Sequence, residues 1–216
     1  MSRLAPALAF RKNVYSQNGE DGIIQELLRR FPSRTYWVCE FGTLDGIQYS
    51  NTFKLIEQGG YNAVYIESDR KSYQQLLETC SKQPTIIPIN REVGYEGDNK
   101  LDNILATTPI PTEFDVLSID IDSSDYHVWK AVEKYSPRIV IIEINSSISP
   151  TDPNYIYGPE GVIGTSFLPM LRLGESKGYT LICHTGNLIF VRNDIAHLYR
   201  DLIIPAEQCY ISNWFF

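Results

Sequence analysis

Five short apolar runs, at residues 37–41, 63–67, 85–89, 114–121 and 139–144, alternate along this chain with segments of helical period. Strands that alternate with helices pair in parallel, because each helix carries the chain back along the sheet and the faces are covered by the crossovers. The run Ile139-Val140-Ile141-Ile142 has no polar alternation, as a strand buried on both faces requires. Between the strands, Ile23, Ile24, Leu27, Leu28 and Phe31 share one helical face. Further helices are expected over 69–81, 100–106, 124–135 and 165–177, the last with Pro169 near its first turn. A shorter one starts after Tyr49-Ser50-Asn51-Thr52 and stops at Gly59-Gly60. Residues 179–184 and 187–191 flank the tight turn Thr185-Gly186 and read as a hairpin. The 216 residues fit one domain, with an N-terminal cap and helix over 1–34, a core over 35–192 and a tail over 193–216.

The net charge of -7 and the absence of a basic run exclude a protein that lives on nucleic-acid phosphates. Cys39, Cys80, Cys183 and Cys209 are scattered, with no histidine at zinc-ligand spacing, and read as reduced core thiols. The apolar stretch 4–10 is short, interrupted by Pro6 and followed by Arg11-Lys12, a poor secretion signal. Nothing approaches the ~20 apolar residues of a membrane span, so a cytoplasmic location away from membranes is expected. The terminal Trp214-Phe215-Phe216 needs cover, on this domain or in a homo-oligomer.

The functional signals gather at strand ends. Trp37 to Gly46 reads as a buried strand running into a glycine-marked turn, with Glu40 at the strand end and Gly42 and Gly46 where the backbone turns or approaches a ligand. It lacks the glycine pair of the dinucleotide fingerprint. Glu67 closes the second strand, where an acid is placed to accept ribose hydroxyls. Ser16 to Gly22 crowds more donors and acceptors before one helix than capping requires, which leaves a ligand role open beside the cap. Asp120 and Asp122 follow the fourth strand, and Glu143 and Asn145 end the fifth. Acids crowded at one sheet edge repel unless something offsets them. Three readings stand: a magnesium or manganese ion held by Asp120, Asp122, Glu143 and Asn145; Asp120 or Asp122 as cofactor ligand or general base; or capping by Asp122, Ser124 or Asp125. His127, one turn into the next helix, is a candidate base, with His184 second and His197 last. The long loop 145–164 has no apolar period and reads as a lid or binding loop that selects the substrate.

In order, Ser16-Gln17-Asn18-Gly19-Glu20-Asp21-Gly22, Glu40-Phe41-Gly42 with Asp45-Gly46, Ser50-Asn51-Thr52, Ile66-Glu67-Ser68-Asp69 and Ser118-Ile119-Asp120-Ile121-Asp122 resemble FkbM-type and related class I S-adenosylmethionine-dependent methyltransferases. The resemblance spans roughly residues 14 to 145. It implies an α/β, Rossmann-like doubly wound, mostly parallel seven-stranded sheet with a C-terminal antiparallel hairpin and helices on both faces. It also implies O-methylation, with a sugar hydroxyl of a nucleotide sugar or glycan intermediate as the acceptor. Glu40, Gly42 and Gly46 then face the cofactor's methionine part, Glu67 its ribose, and Gln17, Asn51 and Asp120 complete the cofactor pocket. The Asp120-Ile121-Asp122-Ser123-Ser124-Asp125 stretch departs from the Asp-x-Glu-Gly common in that family, and the acid set is similar to the metal site of catechol and macrocin O-methyltransferases.

Overall fold

The computed structural model describes residues 4–153, 155–156 and 164–212. The expected sheet is present: β1 (Trp37–Phe41), β2 (Asn62–Glu67), β3 (Ile86–Asn90), β4 (Val116–Ile119), β5 (Ile139–Glu143), β6 (Tyr179–His184) and β7 (Asn187–Arg192). Their spatial order is β3-β2-β1-β4-β5-β7-β6. Pairing is parallel from β3 through β5, with Glu40 opposite Ser118 and Tyr65, and antiparallel where β7 meets β5 and β6. The order reverses between β1 and β4, so a crevice opens beyond their carboxyl ends.

Among the described residues six α-helices pack around the sheet: α1 (Glu20–Arg30), α2 (Phe53–Glu57), α3 (Arg70–Lys82), α4 (Leu101–Leu105), α5 (Asp125–Ala131) and α6 (Phe167–Ser176). The strands supply the core, with Val38, Cys39, Ala63, Val64, Val116, Leu117, Val140 and Ile141 fully buried. Burial raises the Cys39 and Cys183 thiols well above their ordinary range, which keeps them protonated and inert.

Two elements are shorter than their apolar patterns suggest. The fourth strand covers Val116–Ile119 rather than 114–121, because Asp115, fully buried, accepts hydrogen bonds from the Thr35 and Tyr36 amides and from Arg138 Nη1 at its entry. The fifth helix stops at Ala131 rather than 135. Beyond it Lys177 Nζ donates to the Val132 carbonyl, and Asp102 accepts from the Glu133 and Lys134 amides, drawing the chain out of helical register.

The N-terminal segment folds back over the sheet edge. Asp21 Oδ2 accepts from the Val14, Tyr15 and Ser16 amides and from Ser16 Oγ, all within 2.9 Å. Glu20, fully buried, accepts from Asn18 N at 2.8 Å and, across the molecule, from Thr185 Oγ1 at 2.6 Å and Asn187 Nδ2 at 3.2 Å. The crowding of polar groups at residues 16–22 is thus in large part a latch between the N-terminal loop and the β6–β7 turn. The aromatic tail 214–216 and, of the long loop 145–164, residues 154 and 157–163 lie outside the described residues. Among the described residues no helix is long and apolar enough to cross a membrane.

Candidate functional site

A cleft of about 470 Å³ opens at the carboxyl ends of β1, β2, β4 and β5. Its floor is the turn after β1. Gly42 has φ +75°, and a Cβ there would lie 1.8 Å from the Asp120 carbonyl oxygen, so the β1 and β4 ends meet only because residue 42 has no side chain. Gly46, at φ +81°, is required for a different reason: a Cβ would lie 2.6 Å from Leu76 Cδ1, and the residue is not part of the cleft lining.

Glu40 builds the wall. Its Oε1 accepts from the Asn51 amide at 2.8 Å, and Oε2 accepts from Ser50 Oγ and Thr52 Oγ1 at 2.6 Å each. Asn51 Nδ2 in turn donates to Ser118 Oγ at 3.0 Å, tying the segment before α2 to β4. Both residues line the cleft, and these bonds give the wall its shape. Glu67 differs. Its Oε2 accepts from the Leu44 amide and Oε1 from the Asp69 amide, both at 2.8 Å. An ionised carboxylate has about four lone-pair sites, so roughly two remain for a ligand. Gln17 reaches the cleft from the N-terminal loop. Thr43, 3% exposed, lines it with a buried hydroxyl that has no hydrogen-bond partner, a group that a ligand in the cleft could satisfy.

Leu44, Tyr49 and Asp122 line the same cleft with φ of 51°, 63° and 57°. Non-glycine residues in this region cost on the order of 1–3 kcal/mol each, and such strain concentrates at binding sites. No pattern in the sequence announces them. A left-handed leucine or tyrosine has the same neighbours in sequence as a relaxed one, and Thr43 likewise carries no signal until its burial is known.

Asp120, Asp122 and Glu143 converge, each offering an oxygen within 4.8 Å of the others. Burial first, and then Glu143, hold the Asp120 carboxyl well above the usual carboxylate range. Burial, followed by Asp122 and Asp125, pushes Glu143 up to about 7. A hydrogen bond with the Asp120 carboxyl offsets part of that rise. The local capping role belongs to Asp125, whose oxygens accept from the Ile121 and Ser123 amides at 2.9 and 3.1 Å. Ser124 makes no side-chain cap. Asn145, the expected fourth metal ligand, directs its Oδ1 to the Ser147 amide and hydroxyl at 3.0 and 2.5 Å.

The histidines lie elsewhere. His127 packs between Tyr95 and Tyr126, with ring centroids at 5.1 and 5.4 Å, and is not a lining residue of the cleft. His184 is fully buried beneath the C-terminal segment, stacked on Tyr210 at 5.5 Å, with Nδ1 accepting from the Ile211 amide at 3.1 Å. Burial pushes it down to about 4, so it is neutral at physiological pH. His197 Nδ1 contacts the Asp194 carbonyl at 3.0 Å, in the segment after β7.

No protein-family model matches the sequence, and no curated protein matches it. Solved structures do match in fold. The N-terminal domain of EvdMO1, in the presence of SAH and D-fucose, superposes with a TM-score of 0.55 at 13% identity, covering 87% of this chain and 93% of that one. The same domain with SAH bound gives 0.54 at 12% identity over 82% and 80% of the two chains. The CurJ carbon methyltransferase gives 0.51 at 11% identity over 79% and 52%. The chain therefore has the Rossmann-like fold found among class I S-adenosylmethionine-dependent methyltransferases.

Proposed function

We propose that this protein is an S-adenosylmethionine-dependent O-methyltransferase of the FkbM type, acting on a sugar hydroxyl of a nucleotide sugar or glycan intermediate. The observation that carries the cofactor is the cleft at the β1/β4 reversal, with Glu67 holding lone pairs toward it at the end of β2. The fold likeness to a domain solved with SAH bound supports the same reading. The sugar acceptor rests on the sequence resemblance and on the D-fucose present with SAH in the related EvdMO1 structure.

The cofactor supplies an activated methyl group on a sulfonium. The chain's part is to position and to take a proton. Glu67 accepts the ribose hydroxyls, Gln17 and Thr43 line the same cleft, and the Glu40-anchored segment 50–52 fixes the cleft wall. The acceptor hydroxyl enters beside the acidic triad, where Glu143, poised near neutrality, takes its proton as the oxygen gains the methyl group. The geometry favours this carboxylate over His127 as the base, because it lines the cleft. The all-oxygen donor set of Asp120, Asp122 and Glu143 fits a hard divalent ion such as magnesium or manganese, and the mutual repulsion of these groups is the disturbance such an ion relieves. When bound there, it would polarise an acceptor hydroxyl.

Calorimetric titration with S-adenosylmethionine and S-adenosylhomocysteine, in EDTA and then with magnesium or manganese, tests the proposal. Micromolar binding that Glu67→Ala abolishes is the expected result. Absence of binding in every condition would refute the cofactor, and binding unaffected by either metal would remove the ion.

A further inference from the structure

A second cavity, of about 620 Å³, lies at the other end of the sheet and has no part in the proposed methyl transfer. Tyr36 immediately precedes β1 and Tyr61 immediately precedes β2, so both sit at the amino ends of strands whose carboxyl ends form the cleft. The five residues of β1 separate the two sites by about 16 Å. The cavity is framed by the later turns of α1 and the end of α2, through Gln25, Arg29 and Gln58.

Two properties set it apart from an ordinary surface groove. The Tyr61 side chain, 4% exposed, lines it, its hydroxyl set beside the Arg34 guanidinium with no acceptor for its own proton among the described residues. A ligand oxygen would supply that acceptor. Tyr36 holds φ at 59° while its ring is 47% exposed and meets Tyr61 edge-on at 5.3 Å. Among the described residues the non-glycine positions with left-handed φ are Tyr36, Leu44, Tyr49 and Asp122: three line the cleft and the fourth lines this cavity. Strain of this kind persists where a binding surface is being held in shape.

The lining also fixes the ligand's chemistry. Lys12, Arg29 and Arg34 face Glu26 alone, so the wall is cationic in a chain of net charge -7. Glu26 is already held by Arg29 and Arg30, with nitrogen–oxygen distances of 2.7 and 2.8 Å. Arg34 uses Nε on the Leu28 carbonyl at 3.0 Å, which points its guanidinium along the cavity wall. The exposed rings of Phe10 and Tyr36 offer apolar faces to a flat group. The volume is within the range of small-molecule sites, roughly 300–1,000 Å³.

We propose that this cavity is a second small-molecule site, which takes a planar ring bearing one anionic group, the ring against Tyr36 and Phe10 and the anion at Lys12 and Arg34, with Tyr61 donating to a ligand oxygen. A mononucleotide and an aromatic carboxylate both meet that description. Adenosine monophosphate and 4-hydroxybenzoate are therefore the probes, each titrated into the full chain by calorimetry with saturation-transfer NMR. At least one probe is expected to bind with a Kd below about 1 mM. Lys12→Gln should weaken it about tenfold, since it removes one of the wall's charges. Tyr61→Phe should weaken it as well while leaving the thermal midpoint unchanged or higher, an effect that a hydroxyl with a purely structural role would not produce. Glu67→Ala, in the cleft, should leave it unaltered. Failure of both probes to bind, binding indifferent to Lys12→Gln and Tyr61→Phe, or binding lost only in Glu67→Ala would each overturn the assignment. The last result would place the probe in the cofactor cleft, so failure here is distinguishable from failure of the methyltransferase reading.

Discussion

Replacing Gly42 by alanine puts the cleft's construction to the test. At φ +75° a side chain costs about 1–2 kcal/mol, the left-handed penalty for an L-residue. The new methyl group would stand 1.8 Å from the Asp120 carbonyl oxygen and 3.0 Å from its carbon, both backbone atoms that no rotamer can move aside. The end of β4 must therefore retreat from β1, at an overpacking cost of about 1–3 kcal/mol. Reduced freedom of the unfolded chain returns about 0.4–1 kcal/mol, leaving a net loss centred on about 3 kcal/mol. Gly178 is the matched control. Its φ is +82°, yet a Cβ there meets nothing within 4 Å, so Gly178→Ala incurs the backbone penalty alone, about 1 kcal/mol net. For a chain of this size 1 kcal/mol shifts the melting midpoint by about 2–4 °C, so calorimetric scans should show a loss of about 3 °C for Gly178→Ala and about 6–12 °C for Gly42→Ala. Only Gly42→Ala should also weaken cofactor titration, because Asp120 moves with the strand end. Equal midpoints for the two variants would refute the steric account.

His184 makes stability fall in acid. Its folded pKa of about 4 lies below the unfolded value, so its neutral form contributes stability that is complete above pH 6.5 and is lost as pH falls toward 4, to a limit of about 3 kcal/mol. Urea unfolding of His184→Asn between pH 4 and 7 should lack that slope, and a slope equal to that of the parent would contradict the assignment. Glu20→Ala leaves Thr185, Asn187 and the Asn18 amide without their shared acceptor, at about 1–3 kcal/mol for each donor left buried and unpaired. A measured loss under about 1 kcal/mol would show that the latch is dispensable.

The sheet was legible because each strand's burial is written locally. Ile139 to Ile142 is apolar throughout, and every crossover carries its own helical period. The element ends were less so. Asp115 and Lys177 decide where β4 begins and where the chain leaves α5, and each acts on partners far away in sequence. The site divides along the same line. Glu40, Gly42, Glu67, Asp120, Asp122 and Glu143 could be placed at the cleft because strand ends in a parallel sheet converge, whereas Gln17 and Asn51 are placed there by the family resemblance alone. What each does there depends on hydrogen bonds that sequence spacing does not encode: Glu40 and Glu67 look alike as acids at strand ends, yet one accepts three bonds from residues 50–52 and the other two from Leu44 and Asp69. The polar crowd at residues 16–22 could not be apportioned for that reason, since Glu20 finds its partners at Thr185 and Asn187, on the far side of the chain, while Gln17 lines the cleft.

That pairing orders events during synthesis. Chains emerge from the ribosome N-terminus first, at about 5–20 residues per second, so the partners of Glu20 appear roughly ten to thirty seconds after it. Until the β6–β7 turn is made, a buried carboxylate waits without its donors, and the loop that carries Gln17 has no fixed seat. A nascent chain can assemble β1, β2 and β4 while the cleft wall that carries Gln17 still lacks its anchor at the β6–β7 turn. A chain cut short before residue 185 would keep β1 to β5 and lose that anchor.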